Sequence, residues 1–192
     1  MSLSAWKVLS SKILHKTPWI QVVADLCEHD DKKFEYTYVR RIDEGPLIIP
    51  EDEDGGLWLV QQYRHPVRKI IWQFPGEGKK KNESWQKAAQ RGLREEIGKE
   101  AKILFDLGEF VVDPGLLAQK SHFYLAQKLK DVSEVKKHKQ HESEVEDLRP
   151  KKFRFDQIDK MIESGEICDN WTLAALYIYV RHKAAISSSA LS

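Results

Sequence analysis

One strong helix pattern, set among segments that read as strands, constrains the fold more than any other feature. Within residues 82–97, apolar side chains recur at helical spacing, at Trp85, Ala88, Ala89, Leu93 and Ile97. Asn82 is the predicted N-cap, and Gly98 suits a left-handed C-terminal stop. Predicted strands precede and follow this helix, and two further helices come at the end of the chain. This order does not match a fold of repeated strand–helix–strand units. We therefore predict either a mixed α+β fold or a three-layer α/β sandwich.

The first forty residues predict antiparallel strands. Residues 6–14 are a strand candidate, and from Ile20 onward apolar residues occupy alternate positions. A turn at residues 29–32 separates this strand from a second one, residues 34–39, in which aromatic residues alternate. The pair predicts a hairpin with one apolar face.

The remaining chain predicts further strands and two more helices. Residues 43–46 mark a boundary, because they combine acidic residues with Gly and Pro. Residues 128–146 are polar and predict a long loop. Strands are predicted at residues 47–49, 57–60, 70–74, 102–112, 122–126 and 152–155, and helices at residues 156–164 and 170–182. We expect the small, polar residues 184–192 to fray.

Charge and cysteine content exclude several classes of partner. The 192 residues carry 31 basic and 30 acidic side chains, so no global field would attract nucleic acid or an anionic membrane. Cys27 and Cys168 have no metal-ligand spacing and form no disulfide framework, which indicates a reducing cytoplasm. No apolar run reaches membrane-spanning length.

The end of the predicted central helix concentrates carboxylates. Arg91 and Glu95 are four residues apart and can pair, and Glu96 follows immediately. Adjacent carboxylates repel each other unless a cation neutralises them, and Mg²⁺ commonly links such carboxylates to substrate phosphates. The turn at residues 74–78 precedes the helix and contains two glycines, so its backbone groups can face the same site.

The segment from residue 77 to residue 99 resembles a Nudix box. That motif runs Gly, five spacers, Glu, seven spacers, Arg-Glu-apolar, one spacer, Glu-Glu, one spacer, Gly, apolar. Six positions agree in register, at Glu83, Arg91, Leu93, Glu95, Glu96 and Gly98. Three positions depart: Glu77 replaces the first Gly, Gly92 replaces the Glu after Arg, and Lys99 replaces the last apolar residue.

The resemblance extends from about residue 19 to residue 180. Residues 58–64, residues 72–76 and Pro114 are similar to the ADP-ribose pyrophosphatase branch of the family. The resemblance implies a Nudix α/β/α sandwich at residues 46–185. It also implies an N-terminal antiparallel β appendage at residues 1–45 that forms a homodimer, and we expect residues 186–192 to be a disordered tail.

The implied activity is metal-dependent hydrolysis of the diphosphate linkage of a nucleoside diphosphate sugar. ADP-ribose is the favoured substrate and GDP-mannose is the alternative, so the partner is a small nucleotide rather than nucleic acid or a membrane. The implied cofactor is Mg²⁺, with Mn²⁺ as the alternative. In this branch a loop carboxylate before a late strand acts as the base, and Glu142 and Glu144 are the candidates here.

The resemblance also predicts metal and substrate ligands. The Gly76 carbonyl and the carboxylates of Glu95 and Glu96 are predicted to bind the metal. Arg64 binds a phosphate or pairs with an acidic neighbour, and Trp19 stacks on a base or serves packing.

The two main departures leave two interpretations open. Glu77 enters the space left by Gly92 and becomes a metal ligand, or it points to solvent and the site has lost one ligand. The Gly92 departure also supports a rival function, a degenerate Nudix domain that binds a nucleotide or a partner protein without catalysis.

Overall fold

The computed structural model describes residues 4–132 and 147–189. These residues form three helices, α1 (Trp85–Ile97), α2 (Phe155–Glu163) and α3 (Asn170–Ser189). The strands are β1 (Lys7–Lys16), β2 (Ile20–His29), β3 (Lys32–Arg41), β4 (Leu47–Pro50), β5 (Leu57–Arg64), β6 (Lys69–Gln73), β7 (Lys99–Val111), β8 (Leu117–Ala118), β9 (Lys120–Asp131) and β10 (Arg149–Phe153). In the described part of the chain, no helix is long and apolar enough to cross a membrane.

The chain divides into two compact units. The first comprises Met1–Glu44 and Val111–Ser121, and the second comprises Gly45–Phe110 and His122–Ser192. The first unit thus includes a later segment that the sequence patterns did not predict to belong there. It does so because β8, a strand of two residues, pairs in parallel with β3.

The first unit is a four-stranded sheet in the order β1-β2-β3-β8. The predicted hairpin joins β2 to β3, and both turn residues, Asp30 and Asp31, have positive φ angles. Positive φ at both central residues matches the twist of two-residue hairpin turns. On this sheet the Trp6 ring lies 4.8 Å from the Phe34 ring and 5.5 Å from the Tyr36 ring.

The second unit is a three-layer α/β/α sandwich, as predicted. Its middle layer holds two three-stranded sheets, ordered β10-β5-β6 and β4-β9-β7. Successive β4 residues face opposite sides: Leu47 and Ile49 join one hydrophobic cluster, and Ile48 joins the other. Helix α1 packs on the Ile48 side, whereas α2 and α3 pack on the side of Leu47 and Ile49. This accounts for β4 being buried on both faces.

Helix α1 starts later than predicted. Its N-cap is Ser84, whose hydroxyl accepts a hydrogen bond from the Lys87 N–H at 3.2 Å. Asn82 is not the cap because its backbone has a φ of 63°, which lies outside the extended conformation of a capping residue. The C-terminal end is as predicted, since Gly98 is left-handed with a φ of 68° and its N–H bonds back to helix carbonyls.

Strand β9 and helix α3 extend furthest beyond their predicted ends. Strand β9 continues to Asp131, into the segment predicted to be loop, because Leu129 packs on the core and the Val132 N–H bonds to the Gly98 carbonyl. Helix α3 continues to Ser189, so the predicted fraying of residues 184–192 and the predicted disordered tail at residues 186–192 are wrong as far as that residue. Alanine favours helix, and the Ser187 and Ser188 hydroxyls donate to the Lys183 and Ala184 carbonyls one turn back.

Glu51 is a buried carboxylate that ties helix α3 to the sheet layer of the second unit. It is 5% exposed and accepts hydrogen bonds from Tyr179 at 2.7 Å, from Lys183 at 2.8 Å and from Gln127. Burial alone would raise the pKa of Glu51, but the hydrogen bonds from Lys183, Tyr179 and Gln127 outweigh burial and lower it.

We predict that Glu51→Gln lowers the free energy of unfolding by about 2 kcal/mol at pH 7. Because the folded-state pKa is lowered, the stabilisation is present above the unfolded pKa of about 4.5 and is lost as pH falls through the folded pKa. The difference in unfolding free energy between the parent and Glu51→Gln should therefore become smaller in acid. Urea denaturation at pH 7 and pH 4 measures it, with the exposed Glu53→Gln as control. A difference in unfolding free energy that is the same at pH 7 and pH 4 would contradict the lowered pKa of Glu51.

Candidate active site

The predicted site is built where the turn after β6 meets helix α1. The Pro75 carbonyl accepts a hydrogen bond from the Ile48 N–H at 2.9 Å, and Gly76 forms an isolated antiparallel bridge with Leu47. The turn is thus fixed to β4, a strand buried on both faces. A rigid support of this kind positions the backbone groups of Gly76 and its neighbours.

Arg91 lies at the centre of the site and contacts three carboxylates. Its Nη2 donates to Glu83 Oε2 at 2.9 Å and to the Gly78 carbonyl at 2.6 Å. Its Nη1 lies 3.1 Å from Glu77 Oε1 and 3.5 Å from Glu95 Oε2. The Glu95 contact is the predicted pair at i and i+4; the other carboxylates come from the turn and from the residue before Ser84.

Arg91 and the carboxylates around it change one another's pKa. Burial would lower the pKa of Arg91, but Glu83 and Glu77 outweigh burial and raise it. Hydrogen bonds from Arg91 are the largest influence on Glu83 and lower the pKa of that carboxyl. Arg91 therefore stays charged, and it holds Glu83 as a carboxylate.

Glu95 and Glu77 lie against each other. Burial first, and then the charge and hydrogen bond of Glu77, raise the pKa of Glu95 to about 7, although Arg91 partly opposes this. A hydrogen bond between two carboxyl groups requires a proton on one of them. Two carboxyl groups brought this close favour binding of a cation or a proton.

Glu96 completes the cluster on the helix side. Its Oε1 accepts a hydrogen bond from the Gly76 N–H at 3.0 Å. The structure therefore brings together the four predicted metal ligands, Gly76 and Glu77 from the turn and Glu95 and Glu96 from the end of α1. Their role in binding metal stays a prediction.

The donor set matches a hard divalent cation. Three carboxylates and one backbone carbonyl supply oxygen donors alone, which Mg²⁺ prefers. As positioned, the side chains bond to Arg91 and to the Gly76 N–H. Accordingly, within residues 4–132 and 147–189 no three His, Cys, Asp or Glu side chains already form a metal-binding group. Crowding of Glu77 against Glu95 is the feature that a bound cation would relieve.

Glu77 is turned into the site. Its side chain is 16% exposed and contacts Arg91, so the interpretation in which it points to solvent is wrong for this structure. Sequence patterns alone could not choose between the two interpretations, because Glu77 and Arg91 lie on different elements.

The remaining predicted residues are Arg64, Trp19, Glu142 and Glu144. Arg64, at the exposed end of β5, donates from Nε to Gln73 Oε1 at 2.6 Å. Trp19 lies between β1 and β2 in the first unit and is 42% exposed. Glu142 and Glu144 lie outside the described residues, so their predicted role as base stays a prediction.

A depression lined mainly by basic side chains lies beside the carboxylate cluster around Arg91, and the sequence patterns did not predict it. Its volume is about 820 Å³, and two acidic residues that line it are Glu83 and Glu95. Five basic residues also line it: Lys80, Lys87, Arg91, Arg94 and Lys102. Helical spacing of residues 87, 91 and 94 is the signal that could have revealed it, because such residues share one face of α1.

Comparison with known proteins gives the following relatives. A family model described as NUDIX domain matches residues 41–168. An ADP-ribose pyrophosphatase of Bacillus subtilis (strain 168) is 28% identical over 141 residues, which cover 73% of this chain and 74% of that protein. An ADP-ribose pyrophosphatase of Mycobacterium tuberculosis (strain ATCC 25618 / H37Rv) is 28% identical over 130 residues, 67% of this chain and 61% of that protein.

A solved structure shares the fold. It is described as an ADP compounds hydrolase and superposes with a TM-score of 0.80 at 21% identity, covering 96% of this chain and 97% of that chain. At this identity the likeness concerns the fold.

Proposed function

Because the chain belongs to the Nudix domain family, we propose that it is a pyrophosphohydrolase that cleaves the diphosphate linkage of a nucleoside diphosphate sugar, with ADP-ribose favoured. The two relatives whose names contain ADP-ribose pyrophosphatase support this choice of substrate. GDP-mannose is the alternative within the same chemistry.

The observation that carries this proposal is the meeting of Glu77, Glu95, Glu96 and the Gly76 backbone beside Arg91. The Gly76 carbonyl and the carboxylates of Glu95 and Glu96 would hold the metal. When bound, Mg²⁺, or Mn²⁺ in its place, neutralises charge on the diphosphate and favours attack by water.

The residues of the chain itself have distinct tasks. Arg91 keeps the Glu77, Glu83 and Glu95 carboxylates in fixed positions, and the Gly76 N–H orients Glu96. Glu142 and Glu144 remain the proposed bases that take the proton from the attacking water. Attack of water on one phosphorus breaks the bridging P–O bond and leaves two phosphate monoesters.

Charge in the depression beside Glu95 favours an anionic substrate. Five basic side chains face two carboxylates there, and Arg91 already pairs with both. Excess positive charge in a concave site concentrates an anion such as a diphosphate.

A coupled assay tests the proposed reaction. The chain is incubated with Mg²⁺ and ADP-ribose, GDP-mannose or another nucleoside diphosphate sugar, with an alkaline phosphatase added. The phosphatase releases inorganic phosphate from monoesters but not from an intact diphosphate bridge, so reactions without the chain are the control. We expect the largest release with ADP-ribose. Absence of release from every sugar would overturn the proposed activity.

The rival proposal is a degenerate Nudix domain that binds a nucleotide or a partner protein without cleaving. One observation favours it: Gly92 stands where the family pattern has a carboxylate. Binding of ADP-ribose measured by calorimetry, together with no release in the coupled assay, would support this rival.

We also propose that the protein is a homodimer that works in the cytoplasm. Cys27 and Cys168 are both free, which agrees with a reducing compartment. In the first unit every residue of β1 is exposed, and several are apolar, among them Val8, Ile13 and Leu14. An exposed apolar strand at a sheet edge favours pairing with a second copy.

The dimer proposal predicts a mass of twice 22.3 kDa by light scattering at micromolar concentration. Val8→Lys with Ile13→Lys should shift the mass to the monomer, because two charges would be buried in the interface. A matched control changes two exposed apolar residues of the second unit, Val67→Lys and Ile70→Lys, and should leave the mass unchanged. A parent chain that is monomeric at this concentration would contradict the proposal.

A further inference from the structure

The buried Gly92 lies in the middle of helix α1, and the side chain of Glu77 fills the space beside it. A Cβ atom built on Gly92 would lie 2.9 Å from the Glu77 Cβ and 3.2 Å from the Ile48 Cδ1. Real Cβ atoms essentially never approach another atom to within 3.0 Å. Glycine is among the least favourable residues in a helix interior, so its presence here calls for a local reason. The stem of Glu77 supplies that reason.

The Glu77 carboxylate reaches the part of the site that a carboxylate from position 92 would serve. Positions 92 and 96 are one helical turn apart, so they share a face with the predicted ligand Glu96. The Glu77 stem lies against position 92, and its Oε1 lies 3.1 Å from Arg91 Nη1. The Glu77 carboxylate, which comes from the turn, therefore lies at the face of α1 where Gly92 provides no carboxylate.

We propose that Glu77 supplies from the turn the metal-binding carboxylate that α1 lacks at Gly92, and that the two positions function as one unit. This inference rests on the proposed function, because it assigns a ligand to the metal that the proposed reaction uses. It also removes the main support for a degenerate site, since the number of carboxylates is unchanged.

Two properties of the unit differ from those of an ordinary ion pair. Glu77 cannot be removed alone without losing a donor, and a larger residue cannot be placed at position 92 alone without a clash with the Glu77 stem. Changing both positions together should restore both the donor and the space. Such non-additivity identifies coupled residues.

The test measures binding of Mn²⁺ alone, without substrate, by calorimetry and by electron paramagnetic resonance, together with thermal unfolding of each variant. We expect Glu77→Gln to weaken Mn²⁺ binding by about 10-fold or more while the melting temperature is kept. Gly92→Glu alone should lower the melting temperature by roughly 5 °C. Glu77→Gly with Gly92→Glu should recover both binding and melting temperature to near the parent. Glu163→Gln, an exposed carboxylate on α2, is the matched control.

The outcomes separate this inference from the proposed function. If the parent binds Mn²⁺ and Glu77→Gln binds it equally well, the inference is wrong and the proposed function stands. If the double variant binds no better than Glu77→Gln although it folds, the two positions are not one unit and the inference is again wrong. If the parent binds no Mn²⁺ at all, both the inference and the metal-dependent function are overturned.

Discussion

Replacing Glu95 and Glu96 together with glutamine should lower the rate of ADP-ribose hydrolysis by about 10²–10³-fold or more while the chain stays folded. A neutral amide oxygen binds a hard cation far more weakly than a carboxylate does. Two of the four oxygen donors proposed for the metal would thus lose their charge. Turnover in the coupled phosphate assay at saturating Mg²⁺ is the measurement.

The same double change should cost little stability. Burial and the neighbouring Glu77 raise the pKa of Glu95 to about 7, so its ionised form is unfavourable there and an amide relieves the crowding. At position 96 the amide oxygen can still accept the hydrogen bond from the Gly76 N–H. We expect a change in unfolding free energy within about 1 kcal/mol. Full activity in this variant would contradict the proposed mechanism.

Arg91→Met should lower the free energy of unfolding by about 3 kcal/mol at pH 8. The Arg91 side chain is 11% exposed and contacts three carboxylates, at Glu77, Glu83 and Glu95, which would remain crowded and without their cation. Lysine at this position should recover part of the loss, because it restores the charge but not the forked geometry. Urea denaturation followed by circular dichroism provides the free energies.

The loss of unfolding free energy caused by Arg91→Met should become smaller as pH falls from 8 to 5. Protonation of Glu95, whose pKa is about 7 even beside Arg91, removes part of the repulsion that the variant leaves behind. Arg154→Met is the matched control, because Arg154 pairs with Asp156 at the surface, where solvent screens the ion pair and the loss of stability should be small. Equal losses for the two arginine variants would show that Arg91 does not organise the site.

The central helix could be predicted because its apolar spacing and its terminal glycine indicate the same element. Its N-cap could not, since Asn82, Glu83 and Ser84 are consecutive polar residues and each has a side chain able to accept a hydrogen bond. Tertiary contacts decide among them: Glu83 turns back to Arg91, and Ser84 is left to cap the helix.

The site was predictable to the extent that it follows helix geometry and motif register. The i and i+4 pairing of Arg91 with Glu95 is such a case. The contact of Glu77 with Arg91 is not, because it depends on how the turn after β6 is fixed against β4. The two departures from the Nudix motif became interpretable once the structure placed Glu77 beside Gly92.

Phosphorus NMR of the reaction with ADP-ribose and Mg²⁺ tests the central claim most directly, because it observes the diphosphate linkage itself. We predict that the diphosphate resonances disappear and that two monoester resonances replace them in equal amounts. Both changes should be absent from a parallel reaction with the Glu95→Gln, Glu96→Gln variant. Diphosphate resonances that persist with the parent chain, while ADP-ribose is bound, would contradict hydrolysis and identify the chain as a binding module.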